Sequence, residues 1–189
     1  MAAESPGTAL LLLDLIPAVV PAFGGDDALL ERLQQAATAA RAASVPVIYV
    51  RVAFRAGHPE VSASNALFAP LVEMMDFTET IPATAIHEAV APQEGDIHVL
   101  KRRISSFTGS DLDVVLRSLR VNKIVLAGVA TSGVVLSTVR QAADLDFEIV
   151  VLSDGCADGD PEVHRVLTEK VFPSQATVTT VDEWVTGLK

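Results

Sequence analysis

The sequence predicts an α/β fold: a three-layer α/β/α sandwich around a doubly wound, six-stranded, mostly parallel sheet of Rossmann-like type. Two observations carry this. Six short apolar segments alternate along the chain with helical patterns. Most of these segments are near-continuous apolar runs, the pattern of strands covered on both faces. A third observation bounds the size. The chain has 189 residues, 50% hydrophobic and 20% charged, which suits one domain, 1–189, with a sizeable core and little disorder.

The elements follow in order. "TALLLLDL", 8–15, is the first strand. "DALLERLQQAATAARAA", 27–43, is a helix rich in Ala, Leu and Gln, with Asp26 or Asp27 as its N-cap. "VPVIYVRVA", 45–53, is the second strand. Residues 54–95 hold Pro59, Pro70, Pro82 and Pro92 and read as surface excursions of the same domain, with one short helix near 64–75. "DIHVLKR", 96–102, is the third strand, and a helix capped by Ser110 follows at 110–120. "KIVLAGV", 123–129, is the fourth; it runs through a small-residue turn into a helix at 132–145. "EIVVLSD", 148–154, is the fifth, and the helix at 161–172 opens on Pro161, a favoured first-turn position. "ATVTTVDEWV", 176–185, is expected as the sixth strand. Crossovers between parallel strands should be right-handed.

Composition excludes several function classes. A net charge of −10 argues against general binding to nucleic acid or an anionic membrane, with "KRR" at 101–103 the one local basic stretch. One cysteine, Cys156, and no CxxC exclude an internal disulfide framework and point to a reducing compartment, the cytoplasm. The apolar run near the N-terminus has no basic region ahead of it and is interrupted by Asp14, so it fits neither a signal peptide nor a membrane span. No GxGxxG and no Walker A motif occurs, so no nucleotide cofactor is expected. His58, His87, His98 and His164 are scattered without ligand spacing, so no metal is expected.

In a doubly wound sheet, ligands bind outside the carboxyl ends of the strands. That rule selects Asp14, then Arg51 and Arg55, then Lys101 to Arg103, then the turn 129–133, then Asp154. Asp14 closes an apolar run, so its charge needs a partner or its carboxyl must hold a proton. The plain alternative is a loop or capping aspartate, or a structural ion pair. Lys101 either pairs with Asp14 across neighbouring strand ends or is a solvated strand-end cation. The turn Val129, Ala130, Thr131, Ser132, with Gly133 behind it, would offer backbone N–H groups and the positive end of a helix dipole to a carboxylate or oxyanion. Ser132 has no base near it in sequence and reads first as a first-turn hydroxyl. Ala130 stands where a G-x-S-x-G elbow needs its first glycine. Cys156 reads as a small buried thiol.

From about residue 8 to 185 the chain resembles the isochorismatase-like family of cysteine hydrolases. The resemblance rests on Asp14 closing the first strand, on "VLKRRISSFTGSDLDVVLRSL", and on "VLAGVATSGVVLSTVRQAADLDFEIVVLSDGCAD". It implies Asp14 as a catalytic aspartate and Lys101, rather than Arg102 or Arg103, as the catalytic lysine. It implies a cis peptide at Val129–Ala130, and a homodimer or homotetramer. Gly133 stands where the resemblance places the cysteine of most members. Ile16 stands where the family often has glutamine, and "VRVAFRAGH" lacks the Asp-x-His metal element of the nicotinamidase branch.

Without that cysteine, amide hydrolysis through a thioester has no nucleophile. The resemblance then implies the chemistry of the family's isochorismatases, which also lack the cysteine and cleave a vinyl ether. Asp14 would protonate the enol carbon, Lys101 would orient Asp14, and the turn would bind a substrate carboxylate or carbonyl. Products would be pyruvate and a dihydroxy-cyclohexadiene acid. The substrate would be a small-molecule carboxylate, with Arg51 or Arg55 as a further anchor. Two other readings stay open: a non-catalytic binding or scaffold protein that kept the cleft, and a hydrolase of another substrate using Ser132 or water.

Overall fold

The computed structural model describes residues 7–188; residues 1–6 and 189, the ends of the domain expected over 1–189, lie outside the described residues. Strands β1 (Gly7–Leu13), β2 (Val47–Val52), β3 (Ile97–Lys101), β4 (Val121–Val129), β5 (Glu148–Ala157) and β6 (Thr177–Thr179) form one sheet in the order β3-β2-β1-β4-β5-β6. Every neighbouring pair is parallel. The chain winds outward from β1 to β3, returns to the centre at β4 and winds outward again to β6. The direction therefore reverses between β1 and β4, and a crevice for ligands opens at their carboxyl ends.

Helices α1 (Asp27–Ala42), α2 (Phe68–Met74), α3 (Leu112–Ser118), α4 (Leu136–Asp144), α5 (Pro161–Val166) and α6 (Val181–Gly187) flank the sheet. Side chains alternate across a strand, so β1 feeds both layers. Ala9, Leu11 and Leu13 pack with Leu112 and Leu116 of α3 and Val139 and Ala142 of α4. Leu10 and Leu12 pack with Leu29, Leu33, Ala36 and Ala40 of α1 and Val181 of α6. Both sets are fully or almost fully buried, which is why the run "LLLL" has no polar member. Asp26 caps α1, accepting a 2.8 Å bond from the Leu29 N–H. The short helix expected near 64–75 is α2.

The expected sixth strand, 176–185, is the main correction. Only Thr177–Thr179 joins the sheet, and the rest is α6. Thr180 accepts from the Glu183 N–H while the Glu183 carboxylate accepts from the Thr180 N–H, a reciprocal capping box. Val181, Trp184 and Val185 then fall on one helical face against the α1 side of the core. The spacing of three and four outweighs the β-branched run before it. The helix expected at 132–145 opens on one π turn, Thr131–Val135, before α4. The helix expected at 161–172 likewise passes from α5 into a π turn, Leu167–Val171. Ser110 does bond the Leu112 N–H through its hydroxyl, although Asp111 is the residue at the cap position of α3.

Gly128 fixes how closely β4 approaches β1. Its φ is +140°, and a Cβ placed on it would lie 2.1 Å from the Leu13 carbonyl oxygen, one residue before Asp14. Gly128→Ala is expected to lower folding stability by about 3 kcal/mol, from overpacking and backbone strain together. Urea denaturation measures it, and an unchanged midpoint would refute the tight approach.

Candidate active site

Asp14 and Lys101 meet at the carboxyl ends of β1 and β3. The Lys101 Nζ lies 2.8 Å from Asp14 Oδ2, with side chains only 1% and 8% exposed. The register explains how two strands that are not neighbours can meet. β2 lies between them, with Val50 beside Leu13 and Val52 beside Lys101. The Val52 N–H donates to Asp14 Oδ1 at 2.8 Å, and the Asp14 N–H donates to the Val50 carbonyl. Lys101 Nζ also donates to the Arg103 carbonyl at 3.0 Å. Asp14 has φ +50°, a left-handed conformation that Asp tolerates better than most residues. Burial pushes the Asp14 carboxyl above its ordinary pKa, against the opposing pull of the Lys101 ammonium and the Val52 N–H.

Of the three basic residues 101–103, only Lys101 turns inward. Arg102 donates to the Ala53 carbonyl and to Glu79, and Arg103 donates to the Arg102 carbonyl. Alternation along β3 decides this, because Val99 and Lys101 share the buried side.

β4 ends beside β1, with Gly128 opposite Leu13, and the turn that follows lies next to Asp14. The Val129–Ala130 peptide is cis. Thr131 is fully buried, Ser132 is exposed and Gly133 is half-buried. Two of the N–H groups expected to face a substrate have internal partners. Ser132 N–H donates to Asp158 Oδ2 at 2.7 Å, and Gly133 N–H to the Ala130 carbonyl at 3.1 Å. Asp158 thus places a carboxylate of the chain itself at this helix start. Gly133 has room for a side chain, since an added Cβ would meet only the Ala130 Cβ at 3.7 Å. Its neighbour Val134 is buried, at 3% exposure, in the α3–α4 side of the core. Neither position carries a nucleophile.

Arg51 and Arg55 are engaged elsewhere. Arg51 donates to the Thr84 and Glu79 carbonyls, and exposed Arg55 pairs with Glu60. Arg55 lines a cleft of about 470 Å³ along β3 with His98, Leu100 and Arg102, and this cleft has neither Asp14 nor Lys101 in its wall. Ile16 is fully buried in a small cluster with Val52, Phe54, Phe68 and Phe77. Asp154 accepts from the Val181 N–H and helps to fix the start of α6. Among the described residues, no three His, Cys, Asp or Glu side chains gather to hold a metal ion, and no helix is long and apolar enough to cross a membrane.

The family model for the isochorismatase domain matches residues 8–183. The chain belongs to the isochorismatase family. It is similar to YecD, an isochorismatase family protein of Escherichia coli, with 32% identity over 96% of each chain. It is 31% identical to the ureidoacrylate amidohydrolase RutB of Stutzerimonas stutzeri, over 86% of this chain and 74% of that one. The crystal structure of a cysteine hydrolase from Pseudomonas syringae pv. phaseolicola superposes with a TM-score of 0.87 at 25% identity, covering 100% of this chain and 98% of that one. Family membership makes the protein an isochorismatase-family hydrolase with an α/β fold.

This family member has one thiol, and it is poorly suited to attack. Cys156 is buried in β5 opposite Gly128, and burial pushes its pKa up to about 12. At neutral pH it stays a thiol, the weakly nucleophilic form. Ser132, exposed, has no base bonded to its hydroxyl among the described residues.

Several supporting residues had no signal in the sequence. Ser106 and Thr138, both fully buried, share a hydroxyl–hydroxyl bond of 2.9 Å, and the Ser106 N–H donates to Thr138 Oγ1. Ser105 and Thr108 both donate to Gln141 Oε1. These contacts tie the loop after Lys101 to α4 across more than thirty residues of chain, which no short-range spacing reveals.

Removing one partner of a buried pair leaves the other charge uncompensated, at a cost of about 3–5 kcal/mol. Lys101→Met is expected to lose that much at neutral pH. A raised folded-state carboxyl pKa gives stability that is present below the unfolded value and lost as pH rises through the folded one. The deficit of Lys101→Met should therefore shrink as pH falls toward 4. Thermal melts at several pH values test this, and a deficit that grows on acidification would contradict the buried pair.

Proposed function

We propose that this protein hydrolyses a small carboxylate substrate by proton transfer from Asp14, without a covalent intermediate. The observation that carries the reading is a buried Asp14–Lys101 pair beside a turn that has no thiol at Gly133 or Val134. A vinyl ether such as isochorismate fits that equipment. Asp14 gives its proton to the methylene carbon, leaving an oxocarbenium centre at the ether carbon. Water adds there and returns a proton to Asp14. The hemiketal hydroxyl then loses its proton and becomes the ketone of pyruvate, while its carbon–oxygen bond to the ring-bound oxygen breaks and that oxygen takes up the proton, giving a dihydroxy-cyclohexadiene carboxylate.

Burial and pairing divide the work. Desolvation holds Asp14 toward its neutral, proton-donating form. Lys101, 2.8 Å away, stabilises the carboxylate left after transfer. Positioned acids of this kind contribute about 10²–10⁴-fold in rate. No cofactor or metal is needed. The protein is proposed to work in the cytoplasm as a homodimer or homotetramer.

The names of relatives favour a second reading, amide hydrolysis. RutB is a ureidoacrylate amidohydrolase, and an N-carbamoylsarcosine amidase from Arthrobacter is 29% identical over 74% of this chain. Under the present proposal water would have to replace the missing nucleophile, so ureidoacrylate and N-carbamoylsarcosine are expected to stay intact.

Incubation with isochorismate should release pyruvate, and Asp14→Asn should cut kcat at least about 100-fold while the fold persists. Ammonia release from either amide, with none of pyruvate from isochorismate, would overturn the assignment. The pH profile gives an independent check. A required acid form means kcat/KM is flat at low pH and falls as pH rises through the raised Asp14 pKa. A rate that climbs over the same range would require the carboxylate instead.

A further inference from the structure

His164 is the histidine whose ring reaches the turn beside Asp14. Its Nδ1 lies 2.8 Å from Thr131 Oγ1, and the same hydroxyl lies 3.0 Å from the Ala157 carbonyl oxygen. A hydroxyl has one proton, and a carbonyl oxygen can only accept. If the hydroxyl gave its proton to a bare Nδ1, it would face the Ala157 carbonyl oxygen with no hydrogen between them. One arrangement puts a hydrogen in both contacts: the Thr131 proton goes to Ala157, and Nδ1 carries its own proton and donates to Thr131.

We infer that His164 is a positioning residue for the 129–133 turn, held in the Nδ1–H form and donating to Thr131. The bond chain runs from α5 through His164 and Thr131 to Ala157, the last residue of β5. Asp158, the next residue, grips the Ser132 N–H at 2.7 Å. Thr131 and Ser132 are thus held from one side by consecutive residues at the end of β5 and by the ring of α5. Thr131 is fully buried with its hydroxyl occupied, which removes it as a nucleophile and leaves it as a fixed point of the turn. Burial also lowers the His164 pKa, against an opposing pull from Asp158, so the ring is neutral at neutral pH and its tautomer is a definite property.

The structural part stands independently of the reaction; any effect on turnover rests on the proposed function. Long-range 1H–15N correlation spectra of the wild-type protein read the tautomer directly. Proton on Nδ1 and none on Nε2 is the expected result, and the opposite tautomer would overturn the inference. Two variants read the consequence. His164→Asn keeps an N–H donor near the Nδ1 position, whereas His164→Phe fills the space without one. Amide exchange across 131–135 should speed up about tenfold in His164→Phe and stay within about threefold of wild type in His164→Asn. Equal exchange in wild type and His164→Phe would also overturn it. Should His164→Phe fail to fold, the wild-type tautomer still decides. On isochorismate, kcat should fall in His164→Phe with KM nearly unchanged, and His164→Asn should recover it. A wild type without pyruvate release would sink the reaction, while the tautomer and exchange would still decide the role of His164.

Discussion

One interaction constrains the rest of the molecule: a carboxylate and an ammonium buried together at the carboxyl ends of the central strands. Taking two charges out of water costs several kcal/mol per ion, and their attraction offsets this only when the geometry is held tightly. The surroundings of Asp14 and Lys101 supply that hold. One carboxylate oxygen takes Lys101, the other takes the Val52 N–H, and the ammonium takes the Arg103 carbonyl as well. β2 acts as the spacer that sets the distance between the partners. Gly128 lets β4 press against Leu13, so the residue before Asp14 has no freedom to drift.

Helix α4 links the two halves of the site. Its N-terminal side carries the turn next to Asp14, and its Thr138 and Gln141 bind the loop that follows Lys101. The hydroxyl bond between Ser106 and Thr138 lies where no water reaches, so losing either partner would strand the other. A displacement of α4 would therefore move the turn and the lysine loop together. That coupling suits a reaction in which proton donor, counter-charge and turn must keep one geometry.

Much of this was legible in the sequence, for identifiable reasons. The apolar runs reveal strands covered on both faces, and the doubly wound rule then points at strand ends. Asp14 and Lys101 stand out because each is a charge closing an apolar segment. The misreading at 176–185 has the opposite origin. Thr177 to Val181 looks like a strand by residue type, but the box formed by Thr180 and Glu183 starts a helix within the same stretch. Arg51 and Arg55 illustrate a different difficulty. Their position after β2 follows the rule, yet loop carbonyls and Glu60 take their charges, and those partners depend on how 54–95 folds back. The roles of Asp158 and His164 were invisible because both act on the turn from 26 and 33 residues away.

Charge placement also bears on which substrates suit the site. The helix start at Ser132 would ordinarily attract an anion, but Asp158 already neutralises it. Selection of a carboxylate substrate must then rest on groups other than the Ser132 and Gly133 N–H donors. The Asp14–Lys101 pair carries no net charge when ionised, so it neither draws in nor repels an anion strongly from a distance. At contact the effect changes. An anionic substrate beside Asp14 disfavours the carboxylate form and raises its pKa further, adding to the push from burial. Under the proposed reaction the substrate itself thus helps to place the proton on the residue that must deliver it. A neutral amide would bring no such shift, and it would also meet no thiol at the turn. The same electrostatics that make an unpaired charge intolerable here favour acid chemistry on an anion over nucleophilic chemistry on an amide.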